Sequence, residues 1–204
     1  MSETDKFKND IEEFITSILL GENGCKCAHC EEKNCAKPCK DETFEYKIYN
    51  EFSLQHELGQ FLLNKDYNVF YEKNVKEFLD SEAAEKCIKK EVDIIAIKEN
   101  KKYAIELKFP KNGQYPEEMK KFIVDMCFMK QVKKYWSKEN KNVEAFCLTL
   151  VNDPKFHKSK NKHNLNKNGI YSFFRCEQNK PIYKQSVNWH DISQKLSYYF
   201  IAMS

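Results

Sequence analysis

The stretch EVDIIAIKENKKYAIELKF, residues 91–109, contains two apolar runs separated by the polar segment KENK. Runs of this length rich in β-branched and aromatic residues are typical of strands, and the polar segment predicts a turn between them. We therefore expect two adjacent antiparallel strands. Three charges interrupt the runs, because Asp93 opens the first and Glu106 and Lys108 lie inside the second.

Side chains alternate between the two faces of a strand, so Glu106 and Lys108 are expected to point the same way. Asp93, on the neighbouring strand, could reach the same edge of the sheet. Two carboxylates there would suit Mg²⁺ or Mn²⁺, and the lysine could orient water or stabilise charge on a phosphate. The alternative is an exposed ion pair between Glu106 and Lys108, with Asp93 as a cap at the strand start.

The flanking residues predict the other elements from their apolar spacing and their Gly, Pro and Asn signals. The antiparallel pair precedes a long helix, so the strand after that helix is expected to run parallel to an earlier one. The predictions are helices at 6–20, 51–65 with Asn50 as N-cap, and about 116–138; a loop or short helix at 81–90; strands at 67–75 and 143–151; a hairpin at 170–187; and an undecided segment at 192–202.

The order helix, three strands, helix, strand over residues 50–151, with Asp93 followed by Glu106-Leu107-Lys108, resembles the PD-(D/E)xK nuclease superfamily. The resemblance implies an α/β fold with a restriction-endonuclease-like αβββαβ core and a mixed central sheet. It also implies that Asp93 and Glu106 bind Mg²⁺ or Mn²⁺, with the Leu107 carbonyl as a further ligand. Lys108 would position or activate the water.

Many members of that superfamily add an acid from the first core helix, for which Glu57 is preferred here and Glu51 is the alternative. Residues 105–132 also look like a bacterial group of small proteins with this core, in which Asp125 and Gln131 would lie near the site. Gln131 is accordingly a predicted nucleic-acid contact. For both residues the alternative is an ordinary polar helix face.

A cluster of cysteines precedes the core, and its compact spacing predicts a structural Zn²⁺ site in a small loop. An iron–sulfur cluster is the second reading, and reduced thiols without metal are the third. Cys127 and Cys147 fall on apolar stripes and are predicted core residues. The predicted zinc ligands are Cys27, Cys30, Cys35 and Cys39, with Cys25 as an alternative ligand.

The formal net charge is only +3, but residues 155–168 carry five lysines without an acid. This segment could follow a DNA backbone, and the alternative is a solvated loop. The acidic N-terminus does not resemble a signal peptide and no apolar run could span a membrane, so we expect a cytoplasmic protein without membrane contact. The predicted DNA-binding lysines are Lys155, Lys158, Lys160 and Lys162.

Three regions follow from these patterns: an N-terminal helix with the Cys-rich appendage at 1–45, the nuclease core at 46–154, and a basic loop with a C-terminal extension packing on the core at 155–204. The predicted function is a divalent-metal-dependent DNA endonuclease, a phosphodiesterase of the restriction or defence type. The alternatives are a non-catalytic nucleic-acid- or protein-binding module on the same fold, or a structure-selective, resolvase-like nuclease. A homodimer is left open.

Overall fold

In the computed structural model, helices and strands form close to the predicted positions. The structure describes residues 2–20, 48–110, 115–139, 142–153, 156, 170–174, 181–186, 189–191 and 197–203. The helices are α1 (Glu3–Leu20), α2 (Glu51–Asn64), α3 (Ser81–Lys86) and α4 (Tyr115–Glu139), and a 3₁₀ turn spans Val75–Glu77. The strands are β1 (Asn68–Asn74), β2 (Glu91–Lys98), β3 (Lys101–Lys108), β4 (Val143–Val151), β5 (Ile170–Phe174), β6 (Pro181–Ser186), β7 (His190–Asp191) and β8 (Ser197–Ala202).

Six strands form one mixed sheet in the order β1-β2-β3-β4-β8-β7. β2 and β3 are antiparallel, as the turn between them requires, and β4 pairs with β3 in parallel. The parallel pairing follows from α4, which carries the chain back across the sheet between these two strands. The α/β class, the mixed sheet and the parallel β3–β4 pair are therefore confirmed.

Helices cover both faces of the sheet, so each face has its own apolar layer. On one face, α1 and α2 pack on inward residues of β2, β3 and β4 such as Ile94, Ile105 and Leu148. On the other face, α4 packs with α3 on a second set that includes Ala104 and Cys147. Cys127 and Cys147 are buried, as predicted.

Helix α1 belongs to the same apolar layer as α2. Phe7 is fully buried and stacks on Tyr103 of β3, with the ring centroids 3.9 Å apart and the planes 6° from parallel. The predicted division at residue 45 lies outside the described residues, but the helix before it packs on the sheet of the predicted core.

The chain after residue 155 contributes both a separate pair of strands and part of the main sheet. β5 and β6 pair as the predicted hairpin. Residues 197–202 of the segment whose structure the sequence left undecided form β8, which pairs antiparallel with β4. No helix in the described part of the chain is long and apolar enough to cross a membrane.

Candidate active site

Strand β3 carries two charged residues towards α4 while its alternate residues enter the opposite apolar layer. Ile105 and Leu107 pack with α1 and α2, whereas Glu106 is 1% exposed and faces the α4 side. Lys108 lies two residues further along the same face. The predicted alternation of this strand is therefore confirmed, but Glu106 is deeply buried and so is not part of an exposed ion pair.

Asp93 lies where β2 separates from β3. The paired residues of these strands begin with Ile94 opposite Ile105, so Asp93 precedes the ladder. The Leu107 amide donates to Asp93 Oδ2 at 2.7 Å, so the Asp93 carboxylate binds this amide in place of a backbone carbonyl of β2. The Asp93 carbonyl in turn accepts from Gln55 Nε2 at 2.8 Å. These bonds place the Asp93 carboxylate beside the backbone that joins Glu106 to Lys108.

Lys108 lies between an acid of α2 and an acid of α4. Its Nζ is 3.1 Å from Glu51 Oε1 and 3.8 Å from Asp125 Oδ2. The other carboxylate oxygen of Glu51 accepts from the Phe109 amide at 3.1 Å. Glu51 thus joins the start of α2 to the end of β3.

The first turn of α2 explains why Glu51 is the helix acid at this site. Asn50 is the predicted N-cap, and its Oδ1 accepts from the Ser53 amide at 2.7 Å in a capping box that fixes the helix start beside Glu51. Glu57 lies six residues later, which is about 120° around the helix and 9 Å along its axis from Glu51. The structure brings Glu51 to Lys108, and the catalytic role predicted for Glu57 stays a prediction.

A second lysine, Lys89 in the loop between α3 and β2, joins the two most buried acids. Its Nζ contacts Glu106 Oε1 and lies 3.1 Å from Asp125 Oδ1. Asp125 is 5% exposed, so the alternative reading of Asp125 as part of a solvated polar helix face is wrong. The signal was present in the sequence, since Asp125 stands three residues after Phe122 and four before Met129, both on the buried stripe.

Burial sets the protonation behaviour of these groups. It raises the pKa of Asp93 to about 6, although the Leu107 amide, Lys89 and Lys108 act in the opposite direction. Burial likewise raises the pKa of Asp125 against the pull of Lys108 and Lys89. For Lys108, burial alone would lower the pKa, but the nearby Asp125 and Glu51 outweigh it, so the pKa is raised and the side chain stays an ammonium.

The raised pKa of Asp93 predicts a pH-dependent stability. Between about pH 4 and pH 6 the Asp93 carboxyl binds its proton more fully in the folded protein than in the unfolded chain, so its contribution to the free energy of unfolding falls as the pH rises through that window. For Asp93 alone we expect a decrease on the order of 2 kcal/mol in the absence of metal. Urea unfolding across this range, compared with Asp93→Asn, measures it. Parallel pH profiles for the two proteins would contradict the expectation.

The donor set is compatible with a hard cation, although it is not a preformed metal cluster. Among the described residues, no group of three or more His, Cys, Asp or Glu side chains is arranged to hold a metal ion. However, Glu106 Oε2 and Asp125 Oδ2 are buried without a hydrogen-bond partner in that part of the chain. Carboxylate oxygens are the ligands that Mg²⁺ and Mn²⁺ take.

A cavity of about 280 Å³ opens beside the site, with Glu51, Gln55 and Asp93 among its lining residues. Asp93 thus lines this cavity, whereas Glu106 and Asp125 are not among its lining residues.

The side chain of Gln131 makes two hydrogen bonds within the protein. Its Oε1 accepts from the Ile88 amide at 2.9 Å, and its Nε2 donates to the Lys86 carbonyl at 3.2 Å. Both the oxygen and the nitrogen of its side-chain amide thus bind the backbone of the loop that carries Lys89. The predicted contact of Gln131 with nucleic acid stays a prediction.

The other predicted site residues lie outside the described residues, so the zinc site and the DNA-binding lysines stay predictions. They are Cys25, Cys27, Cys30, Cys35, Cys39, Lys155, Lys158, Lys160 and Lys162.

The chain matches no protein-family model, no curated protein and no solved structure. The assignment of its function therefore depends on the geometry of the site and on the resemblance carried by Asp93 and Glu106-Leu107-Lys108.

Proposed function

We propose that the protein is a divalent-metal-dependent endonuclease that hydrolyses phosphodiester bonds in DNA, with a site of the PD-(D/E)xK type on a restriction-endonuclease-like core. The observation that supports this most is the position of the Asp93 carboxylate on the Leu107 amide, between Glu106 and Lys108. This bond holds Asp93 of β2 against the segment of β3 that carries Glu106 and Lys108, which supports a shared site.

In this proposal Asp93 and Glu106 hold the metal. Mg²⁺ or Mn²⁺, when bound, would act as a Lewis acid on the scissile phosphate and lower the pKa of a water. With a pKa of about 6, the Asp93 carboxylate is mostly ionised at neutral pH even without the metal, and so can bind a cation.

Lys108 acts as a hydrogen-bond donor in this scheme. Since Asp125 and Glu51 keep its pKa raised, its ammonium is charged at neutral pH and cannot serve as the general base. It can instead orient the attacking water by donating a hydrogen bond to the water oxygen. It can also stabilise the negative charge that develops on the phosphate. The ion pairs with Glu51 and Asp125 fix the direction of its stem.

A non-catalytic module on the same fold is disfavoured by the energetics of the site. Glu106 and Asp125 are 1% and 5% exposed, and each retains an oxygen without a hydrogen bond among the described residues. Burying a carboxylate with incomplete hydrogen bonding costs several kcal/mol, on the order expected for ions in protein interiors. A fold kept only as a binding scaffold would be more stable with apolar residues at these positions.

The proposed function is tested by incubating the full chain with supercoiled and linear duplex DNA in Mg²⁺, in Mn²⁺ and with a chelator. We expect cutting with either metal, none with the chelator, and products with 5′-phosphate and 3′-hydroxyl ends, because the resemblance implies attack with departure of the 3′ oxygen. Cutting that persists in excess chelator, or no cutting of any DNA with either metal, would contradict the proposal.

A further inference from the structure

The loop between α3 and β2 places an ammonium group among the buried acids of the proposed metal site. Lys89 Nζ contacts Glu106 Oε1 and Asp125 Oδ1, while the other oxygen of each carboxylate has no hydrogen-bond partner among the described residues. The side chain of Lys89 is 32% exposed, against 1% for Glu106 and 8% for Asp125. Its ammonium therefore reaches into the site from a stem that is partly in solvent.

The backbone of this loop is fixed by two side chains that do not touch the acids. Gln131 binds the Ile88 amide and the Lys86 carbonyl at 2.9 and 3.2 Å. Lys90 Nζ donates to the carbonyls of residues 84, 85 and 87, at 2.8, 3.2 and 3.1 Å. Lys89 can thus leave the site by rotation of its own flexible stem, with the loop backbone unchanged.

We propose that Lys89 is a built-in counter-cation: its ammonium offsets part of the negative charge of Glu106 and Asp125 in the absence of a divalent ion, and it swings out to solvent when Mg²⁺ or Mn²⁺ binds. This inference rests on the proposed function, since it concerns the occupancy of the same site. Two buried carboxylates that contact one ammonium need positive charge nearby, and Lys89 supplies it together with Lys108, whose Nζ is 3.8 Å from Asp125 Oδ2. The metal and Lys89 then exclude each other by repulsion, which sets a threshold concentration for metal binding.

The test is a titration of the full chain with Mn²⁺ in the absence of DNA, followed by calorimetry and by the electron paramagnetic resonance signal of free Mn²⁺. Lys89→Met removes the ammonium and keeps most of the stem. Lys76→Met, at an exposed position of the 3₁₀ turn, makes the same change in net charge away from the acids. We expect Lys89→Met to bind Mn²⁺ about tenfold more tightly or better, since the removed charge acts over a few ångströms in a partly buried site. Lys76→Met should match the wild type.

Thermal unfolding gives a second readout. Without metal, Lys89→Met removes the ammonium that contacts Glu106 and one of the two that flank Asp125, so its melting temperature should lie below that of the wild type. Saturating Mn²⁺ should then raise the melting temperature of Lys89→Met more than that of the wild type, because the ion replaces the lost ammonium.

Each outcome decides between the two proposals. If the wild type binds Mn²⁺ and Lys89→Met binds it no more tightly, the counter-cation role is wrong while the proposed function stands. If neither protein binds Mn²⁺, both are wrong. If Lys89→Met does not fold without metal, Lys89→Gln removes the charge but keeps a hydrogen-bond donor for the acids, and should bind Mn²⁺ severalfold more tightly than the wild type. Unchanged affinity in Lys89→Gln would then overturn the inference.

Discussion

Replacement of Lys108 by methionine is expected to reduce the rate of DNA cleavage by about 100-fold or more, the loss typical of removing one donor that stabilises transition-state charge. Methionine keeps an unbranched stem of similar length, so the change removes the ammonium with little effect on packing. Mn²⁺ binding should persist, because the proposed ligands Asp93 and Glu106 remain in place.

Single-turnover cleavage at saturating protein measures this loss separately from DNA affinity. The matched control is Lys76→Met, which removes the same charge at an exposed position of the 3₁₀ turn. If Lys108→Met cleaved within a few-fold of the wild type, the ammonium would have no role in the chemical step. The contacts of Lys108 with Glu51 and Asp125 would then be purely structural.

The second large effect is expected on stability, from truncation of Phe7 to alanine. Phe7 is fully buried, stacks on Tyr103 and meets Tyr67 edge-on with the ring centroids 5.7 Å apart. Removing such a ring leaves a cavity between α1 and the sheet, and Phe→Ala changes in cores cost about 3–5 kcal/mol. Urea unfolding of the full chain measures the difference in free energy of unfolding.

Phe52→Ala is the matched control, since the same atoms are removed at a side chain that is 75% exposed. Exposed truncations of this kind change stability by about 0.5 kcal/mol or less. Equal effects for Phe7→Ala and Phe52→Ala would contradict the packing of α1 against the sheet through Phe7.

The strands and helices around the site were predictable because their burial follows simple periods. In β3, Tyr103, Ile105 and Leu107 alternate with Ala104, Glu106 and Lys108, so the period of two predicted that Glu106 and Lys108 point the same way. α4 likewise has a continuous buried stripe that gave its position. The position of Asp93 beside the segment that carries Glu106 and Lys108 followed from the antiparallel pairing of β2 and β3 across a short turn.

Other parts of the site depend on tertiary geometry, which the spacing of apolar residues along a helix or strand does not predict. Lys89 stands in an irregular loop, and among 34 lysines and arginines its sequence carries no signal that it turns inward. The choice between Glu51 and Glu57 depends on the angle at which α2 crosses the sheet, since both lie near its buried face. The pairing of β8 with β4 joins residues about fifty positions apart, and alternation alone cannot specify such a partner.

The measurement that tests the central claim most directly is single-turnover cleavage of duplex DNA in Mg²⁺ by the wild type, Asp93→Asn and Asp66→Asn. Asp66 is exposed in a turn with a φ of 63°, a conformation that asparagine tolerates well, so it controls for the loss of one carboxylate. We predict that the wild type and Asp66→Asn cut at the same rate and that Asp93→Asn is slower by roughly 1,000-fold. Cutting by Asp93→Asn at the wild-type rate, or no cutting by the wild type, would contradict the assignment of this site as a metal-dependent nuclease centre.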